Sequence, residues 1–200
     1  MKQLLKTIYY VCGRVVFILE LRRAIRKLGD DQKVYLVDID NTLADTWPSL
    51  KDRIYNCENQ RYQTLSIFIG MRKYVLEIQK LHKVIFISAR NYLAYGTTKR
   101  WLEECGIEGC KLILVPEAME KIYFLLELIM LKKEVVFIDD LSYNHEHGEV
   151  KSYDLMLSIL DQLPLTYLGI NEIEIINSAH EAHHQGLKKT IPVFPDFGFH

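Results

Sequence analysis

Four short apolar runs constrain the fold of this chain more than anything else in it: KVYLVD (33–38), KVIFIS (83–88), KLILV (111–115) and EVVFID (134–139). They are rich in Val and Ile and do not alternate with polar residues, the pattern of strands buried on both faces of a sheet. Helix-like segments separate them over residues 71–81, 93–105 and 117–131. Strands alternating with helices imply parallel pairing and right-handed crossovers. The expected fold class is α/β, a doubly wound parallel sheet with helices on both faces and an extra N-terminal helix. A further helix is expected around residues 151–160, and EIEIIN (172–177) reads as an edge strand. The tail IPVFPDFGFH, with two prolines and three phenylalanines, reads as irregular chain docked on the body.

Three of the four runs end in a reactive side chain: Asp38, Ser88 and Asp139. In an open parallel sheet, ligands bind in the crevice outside the carboxyl ends of the strands. That crevice would gather Asp38, Asp40, Asp139 and Asp140. Carboxylates crowded this way repel one another unless a cation joins them. Hard oxygen donors suit Mg²⁺, which keeps several waters and binds through one or two carboxylates plus a substrate phosphate. DNT and DD are common turn and cap sequences taken singly. Their placement after two apolar β runs of one short chain is what points to a site.

VYLVDIDNT, with Asp-x-Asp-x-Thr after a hydrophobic strand, resembles the first motif of the haloacid dehalogenase-like (HAD) hydrolases, a superfamily dominated by Mg²⁺-dependent phosphatases. IFIS ending at Ser88 is similar to the second motif, a lysine ahead of the last strand to the third, and VVFIDD to the fourth. The resemblance spans residues 34–144 and implies a Rossmann-like sheet of the HAD type. It implies Asp38 as nucleophile, forming an aspartyl-phosphate, and Asp40 as the acid and then base. Thr42 and Ser88 would hydrogen-bond phosphoryl oxygens and Lys121 would balance their charge. Lys121 is preferred over Lys111, Lys132 and Lys133 because it sits early in the helix leading to the last strand. Asp38, Asp139 and Asp140 would ligate Mg²⁺, joined by the backbone carbonyl of Asp40, and Asn144 would orient bound waters. Asn41 stands where many relatives have Gly, and Asn tolerates the left-handed backbone needed there. Receiver-type phospho-acceptors share these residue types but place the acidic pair first and the acceptor on a middle strand, the reverse of the order here.

SARNYLAYGTTKRWLEECGI, with Ser-x-Arg, then Thr, then Trp-Leu, resembles the second-motif region of polynucleotide 3′-phosphatases and acid phosphatases. It puts Arg90 in place to reach a second anionic group of the substrate. Residues 45–82 leave room for a helix or two near the site and no large cap, so the crevice should be open. Trp47 and Tyr55 lie near its mouth, and packing on the body is favoured over stacking on a substrate ring. Trp101 and Leu102 read as a core face. The histidines of HEHGE and HEAHH read as surface residues, with His145 near enough to the fourth motif to touch a substrate.

Net charge is −1 over 200 residues, so no global basic footprint points to nucleic acid. The expected partner is therefore a small phosphorylated metabolite. Polynucleotide 3′-phosphatase activity and a non-catalytic binding role are the alternatives. Cys12, Cys57, Cys105 and Cys110 form no Cys-x-x-Cys and read as reduced thiols of a cytoplasmic protein. LLKTIYYVCGRVVFILELRRAIRK is interrupted by Gly13, Arg14 and Glu20, short of the roughly 18–20 apolar residues of a spanning helix. Residues 1–28 read first as a helix lying on the domain or on a second copy in a homo-oligomer, and second as a membrane-surface contact of a peripheral protein. The expected organisation is an N-terminal helix (1–32), the α/β hydrolase domain (33–180) and a docking tail (181–200).

Overall fold

A computed structural model describes residues 2–29, 32–52 and 55–184. In chain order the elements are α1 (Lys2–Ile25), β1 (Val34–Val37), β2 (Ala44–Asp45), α2 (Trp47–Asp52), α3 (Glu58–Gln63), β3 (Ser66–Ile67), α4 (Ile69–Ile78) and β4 (Lys83–Ser88). They continue with α5 (Tyr95–Glu104), β5 (Lys111–Leu114), α6 (Lys121–Met130), β6 (Val135–Ile138), β7 (Ser142–Tyr143), β8 (Lys151–Ser152), α7 (Asp154–Leu160), β9 (Thr166–Leu168) and α8 (Ile170–His184).

The main sheet has the order β5-β4-β1-β6-β9, with every pair parallel. All four apolar runs are strands of it, as expected. Their side chains alternate between two cores. Leu36, Ile85, Ile113 and Phe137 pack beneath α1, α6 and α7; Val37, Phe86, Leu112 and Ile138 pack against α4, α5 and α8. Both faces are covered, which is why the runs show no polar alternation. From β1 the chain winds through β4 to β5 on one side, then crosses back to β6 and β9 on the other. β1 is thus where the winding reverses, and a crevice opens at its carboxyl end. Val37 pairs with Phe86 on one side and Ile138 on the other, so the next residue, Asp38, comes level with Asp139.

α1 docks on one face of the domain. Leu21 and Ile25 enter the core. Gly13 lies so close to the Tyr92 ring that a Cβ would come within 2.0 Å of it. Arg22 forks onto Glu127 at 2.5 and 3.1 Å, and Lys111 reaches Glu20 at 2.5 Å. No helix among the described residues is long and apolar enough to cross a membrane.

Residues 172–177 are not an edge strand; they lie within α8. Ile173 and Ile176, one turn apart, bury against α4, and Gly70 lets the two helices meet where a Cβ would lie 2.6 Å from the Asn177 backbone. The Glu172 carboxylate accepts from Gly169 N at 2.8 Å, half of a capping box that starts the helix. The edge strand is β9 instead. Between β1 and β4, α2 and α3 stand over the crevice mouth while α4 belongs to the body. Trp101 and Leu102 are core residues, and Trp101 Nε1 donates to Leu65 O at 2.9 Å. All four cysteines are free. The tail from residue 185 and the side chains of HEAHH lie outside the described residues.

Candidate functional site

Asp38 and Asp139 are the first residues beyond the two central strands β1 and β6, and both are buried. Lys121 opens α6 and sends its ammonium between them, 2.7 Å from Asp38 Oδ1 and 2.6 Å from Asp139 Oδ2. The other Asp139 oxygen accepts from Leu141 N at 3.0 Å. This turn needs left-handed backbone at Leu141 (φ 46) and Asn144 (φ 71), strain of the kind that concentrates at functional sites. Asp140 N donates to Thr42 Oγ1 at 3.1 Å, and the Asp140 carboxylate accepts from Ser142. Asp38, Asp139 and Asp140 each offer an oxygen within 4.8 Å of the others. Among the described residues no hydrogen bond reaches Asp38 Oδ2.

Asp40 faces the other way. Arg90 donates to it from Nε at 2.8 Å and from its second terminal nitrogen at 2.6 Å, and Ser88 Oγ donates at 2.8 Å. Arg90 is wholly buried, with its third nitrogen on Thr98 at 3.1 Å and its guanidinium 3.9 Å from the Tyr62 ring centre. Asn41 takes the left-handed backbone (φ 56) that turns the chain just after Asp40.

Burial pushes the Asp38 carboxyl well above its ordinary range, with Lys121 opposing and the other three acids adding to the rise. Burial and then the adjacent Asp139 push Asp140 up to about 7. Burial would raise Asp40 too, but the charge and hydrogen bonds of Arg90, with that of Ser88, outweigh it and hold Asp40 below the usual value. Burial would lower Lys121, yet Asp139 and Asp38 hold it firmly protonated. Four carboxylates thus face two buried cations. The deficit falls on the Asp38–Asp139–Asp140 side, where three hard oxygen donors converge. That donor set fits a small divalent cation of the Mg²⁺ type.

A cavity of about 280 Å³ joins Asp38, Asp40, Lys121, Asp139 and Asp140. Asn144 and His145 line its rim. His145 Nε2 lies 3.0 Å from Asn41 Nδ2 and 2.7 Å from Ser142 Oγ. Trp47 packs edge-on against the His145 ring at 5.3 Å, tying α2 to the turn after β7. Trp47 is therefore packed rather than free at the mouth.

Three residues expected at the phosphate or substrate, Thr42, Ser88 and Arg90, are hydrogen-bonded to the acids of the site. Thr42 and Ser88 are fully buried and brace Asp140 and Asp40. The fork of Arg90 is taken up by Asp40. Tyr62, Thr98 and Ser142 complete the bracing and were not legible as site residues. Ser142 carried a local signal, a hydroxyl two residues past an Asp in a turn. Tyr62 and Thr98 reach Arg90 only through the tertiary fold.

No protein-family model matches this chain, and no curated protein matches it in sequence. Among solved structures it resembles the class C acid phosphatase from Bacillus anthracis, at 15% identity and a TM-score of 0.45, over 90% of each chain. It also resembles the class C acid phosphatase from Bacillus anthracis with tungstate bound, at 17% identity and a TM-score of 0.45, over 92% of this chain and 91% of that one.

Proposed function

We propose that this chain is a Mg²⁺-dependent phosphomonoesterase of the HAD type that works through an aspartyl-phosphate on Asp38. One observation carries the reading: Asp38 keeps an oxygen that no hydrogen bond reaches among the described residues, beside a buried ammonium and two further carboxylates, all opening into one cavity. Asp38 Oδ2 attacks phosphorus, the ester P–O bond breaks, and the alcohol leaves. Water then attacks the phosphorus of the aspartyl-phosphate, and Asp38 is released with inorganic phosphate. Lys121 offsets charge on the transferring group. Asp40, held ionised by Arg90, is in the form that takes a proton from the attacking water, help worth about 10²–10⁴-fold. The proton for the leaving oxygen arrives on Asp40 in acid solution or on a phosphomonoester monoanion.

Asp38, Asp139 and Asp140 would hold the divalent ion, joined by the Asp40 carbonyl. When bound, such an ion supplies the missing positive charge and a seat for a phosphoryl oxygen. The cavity suits a small phosphorylated metabolite. Among the described residues Arg61 is the one lysine or arginine on its lining besides Lys121, little positive charge for a polynucleotide backbone. Cytoplasmic location agrees with four free thiols.

The test is phosphate release across sugar phosphates, nucleotides, 3′-phosphorylated oligonucleotides and phosphopeptides, with Mg²⁺ and with EDTA. Turnover that EDTA abolishes and Asp38→Asn removes supports the reading. Turnover untouched by either refutes it.

A further inference from the structure

The most conspicuous surface outside the crevice is the outward side of α1. Leu4, Ile8, Val11, Val15 and Leu19 recur three or four residues apart and are 43–64% exposed, with Val16 beside them at 56%. The body holds the opposite side of this helix through Leu21, Ile25, Gly13 and the Arg22–Glu127 pair. Arg14 leans over Tyr123 at 4.4 Å, and exposed Tyr123, Leu126 and Met130 of α6 extend the apolar surface.

Charge is divided in the same way. Residues 2–29 hold seven Lys and Arg against a single acid, Glu20, a net of +6. The rest of the chain holds 18 basic and 25 acidic residues, a net of −7. Glu20 is already committed to Lys111 and Arg23. Arg26 and Lys27 are exposed beyond the apolar stripe. They lie in the turn that follows the last helical residue, Ile25, so the uncommitted charge sits at the C-terminal end of the stripe.

We infer that the outward side of α1 is a docking surface for an anionic lipid bilayer. The helix lies in the interface plane, its apolar stripe at the headgroup boundary and its cations against lipid phosphates and carboxylates. Charge decides against pairing with the same helix of a second copy. Two such helices set cations against cations whether they pair parallel or antiparallel, and no free acid on α1 relieves it. An anionic surface instead attracts the helix while repelling the acidic remainder, so it also orients the molecule. The inference does not rest on the phosphatase reading.

Flotation of the full chain with vesicles tests it. The chain should float with phosphatidylcholine vesicles containing phosphatidylserine, remain behind with phosphatidylcholine alone, and come off as salt is raised. Arg26→Gln with Lys27→Gln should lower partitioning about 25-fold, each cation near an anionic surface being worth roughly fivefold. Val15→Asp, on a side the body does not touch, should abolish flotation while leaving circular dichroism and melting unchanged. Absence of flotation with either vesicle overturns the inference. So does flotation indifferent to Val15→Asp, or a concentration-dependent dimer in sedimentation velocity that Val15→Asp dissolves.

Discussion

Asp38 and Asp40 stand two residues apart, each against a buried cation, and end in opposite electrostatic states. Asp38 is pushed up and Asp40 held down. Exposure contributes, since the Asp38 side chain is 5% exposed and that of Asp40 30%. The larger difference is how many acids share each cation. Lys121 is a point charge divided between Asp38 and Asp139, with Asp140 alongside. Arg90 serves Asp40 alone, through a two-pronged fork and with a hydroxyl beside it. The β4 side of the site is therefore balanced by the chain itself, while the β6 side is short of positive charge. On the proposed reading an added cation belongs on the β6 side, which leaves Asp40 for proton transfer.

Asp38→Asn should lower phosphate release by about 10⁴-fold or more, as loss of a nucleophile does. The melting temperature should hold or rise, because one of three crowded acids is gone; a collapse of the fold would show that Asp38 is structural. Lys121→Met and Arg90→Met should each cost about 3–5 kcal/mol in urea unfolding, since each leaves a buried carboxylate without its cation. Saturating Mg²⁺ should restore much of the first loss and none of the second. Equal restoration of both would erase the distinction between the two sides. In the unaltered chain, Mg²⁺ at about 100 times its dissociation constant should stabilise by about 2.7 kcal/mol. That corresponds to a rise of roughly 5–10 °C in Tm for a chain this size, read by differential scanning fluorimetry and diminished in Asp140→Asn. Ser88→Ala should have the smallest effect, about 1.5 kcal/mol for one hydrogen bond to a charged group. Its kinetic signature should be a lower kcat at unchanged KM, because Ser88 acts through Asp40.

What could be read from the sequence divides along the same physical line. The central strands were legible because burial on both faces leaves unbroken Val- and Ile-rich runs, and the acids at their ends follow from the sheet's geometry. β9 was not: as an edge strand its three residues, Thr166–Leu168, run from exposed to buried and carry no such run. EIEIIN resembles a strand by its alternation, although Ile173 and Ile176 are also at helical spacing and Glu172 completes a cap. Lys121 was identifiable from its position ahead of β6. The bracing of Asp40 was not, because Arg90, Thr98 and Tyr62 meet only after α3 and α5 pack, and an arginine near a phosphate motif is as ready to hold an acid as a substrate.

The account rests on a divalent cation completing the β6 side of the crevice. The most direct measurement is anomalous diffraction from crystals of the protein grown with Mn²⁺ in place of Mg²⁺. The account predicts a peak among the carboxylates of Asp38, Asp139 and Asp140, with the Arg90–Asp40 fork intact beside it. Crystals of protein that hydrolyses phosphomonoesters, yet show no peak there or show the ion on Asp40 with Arg90 displaced, would contradict it.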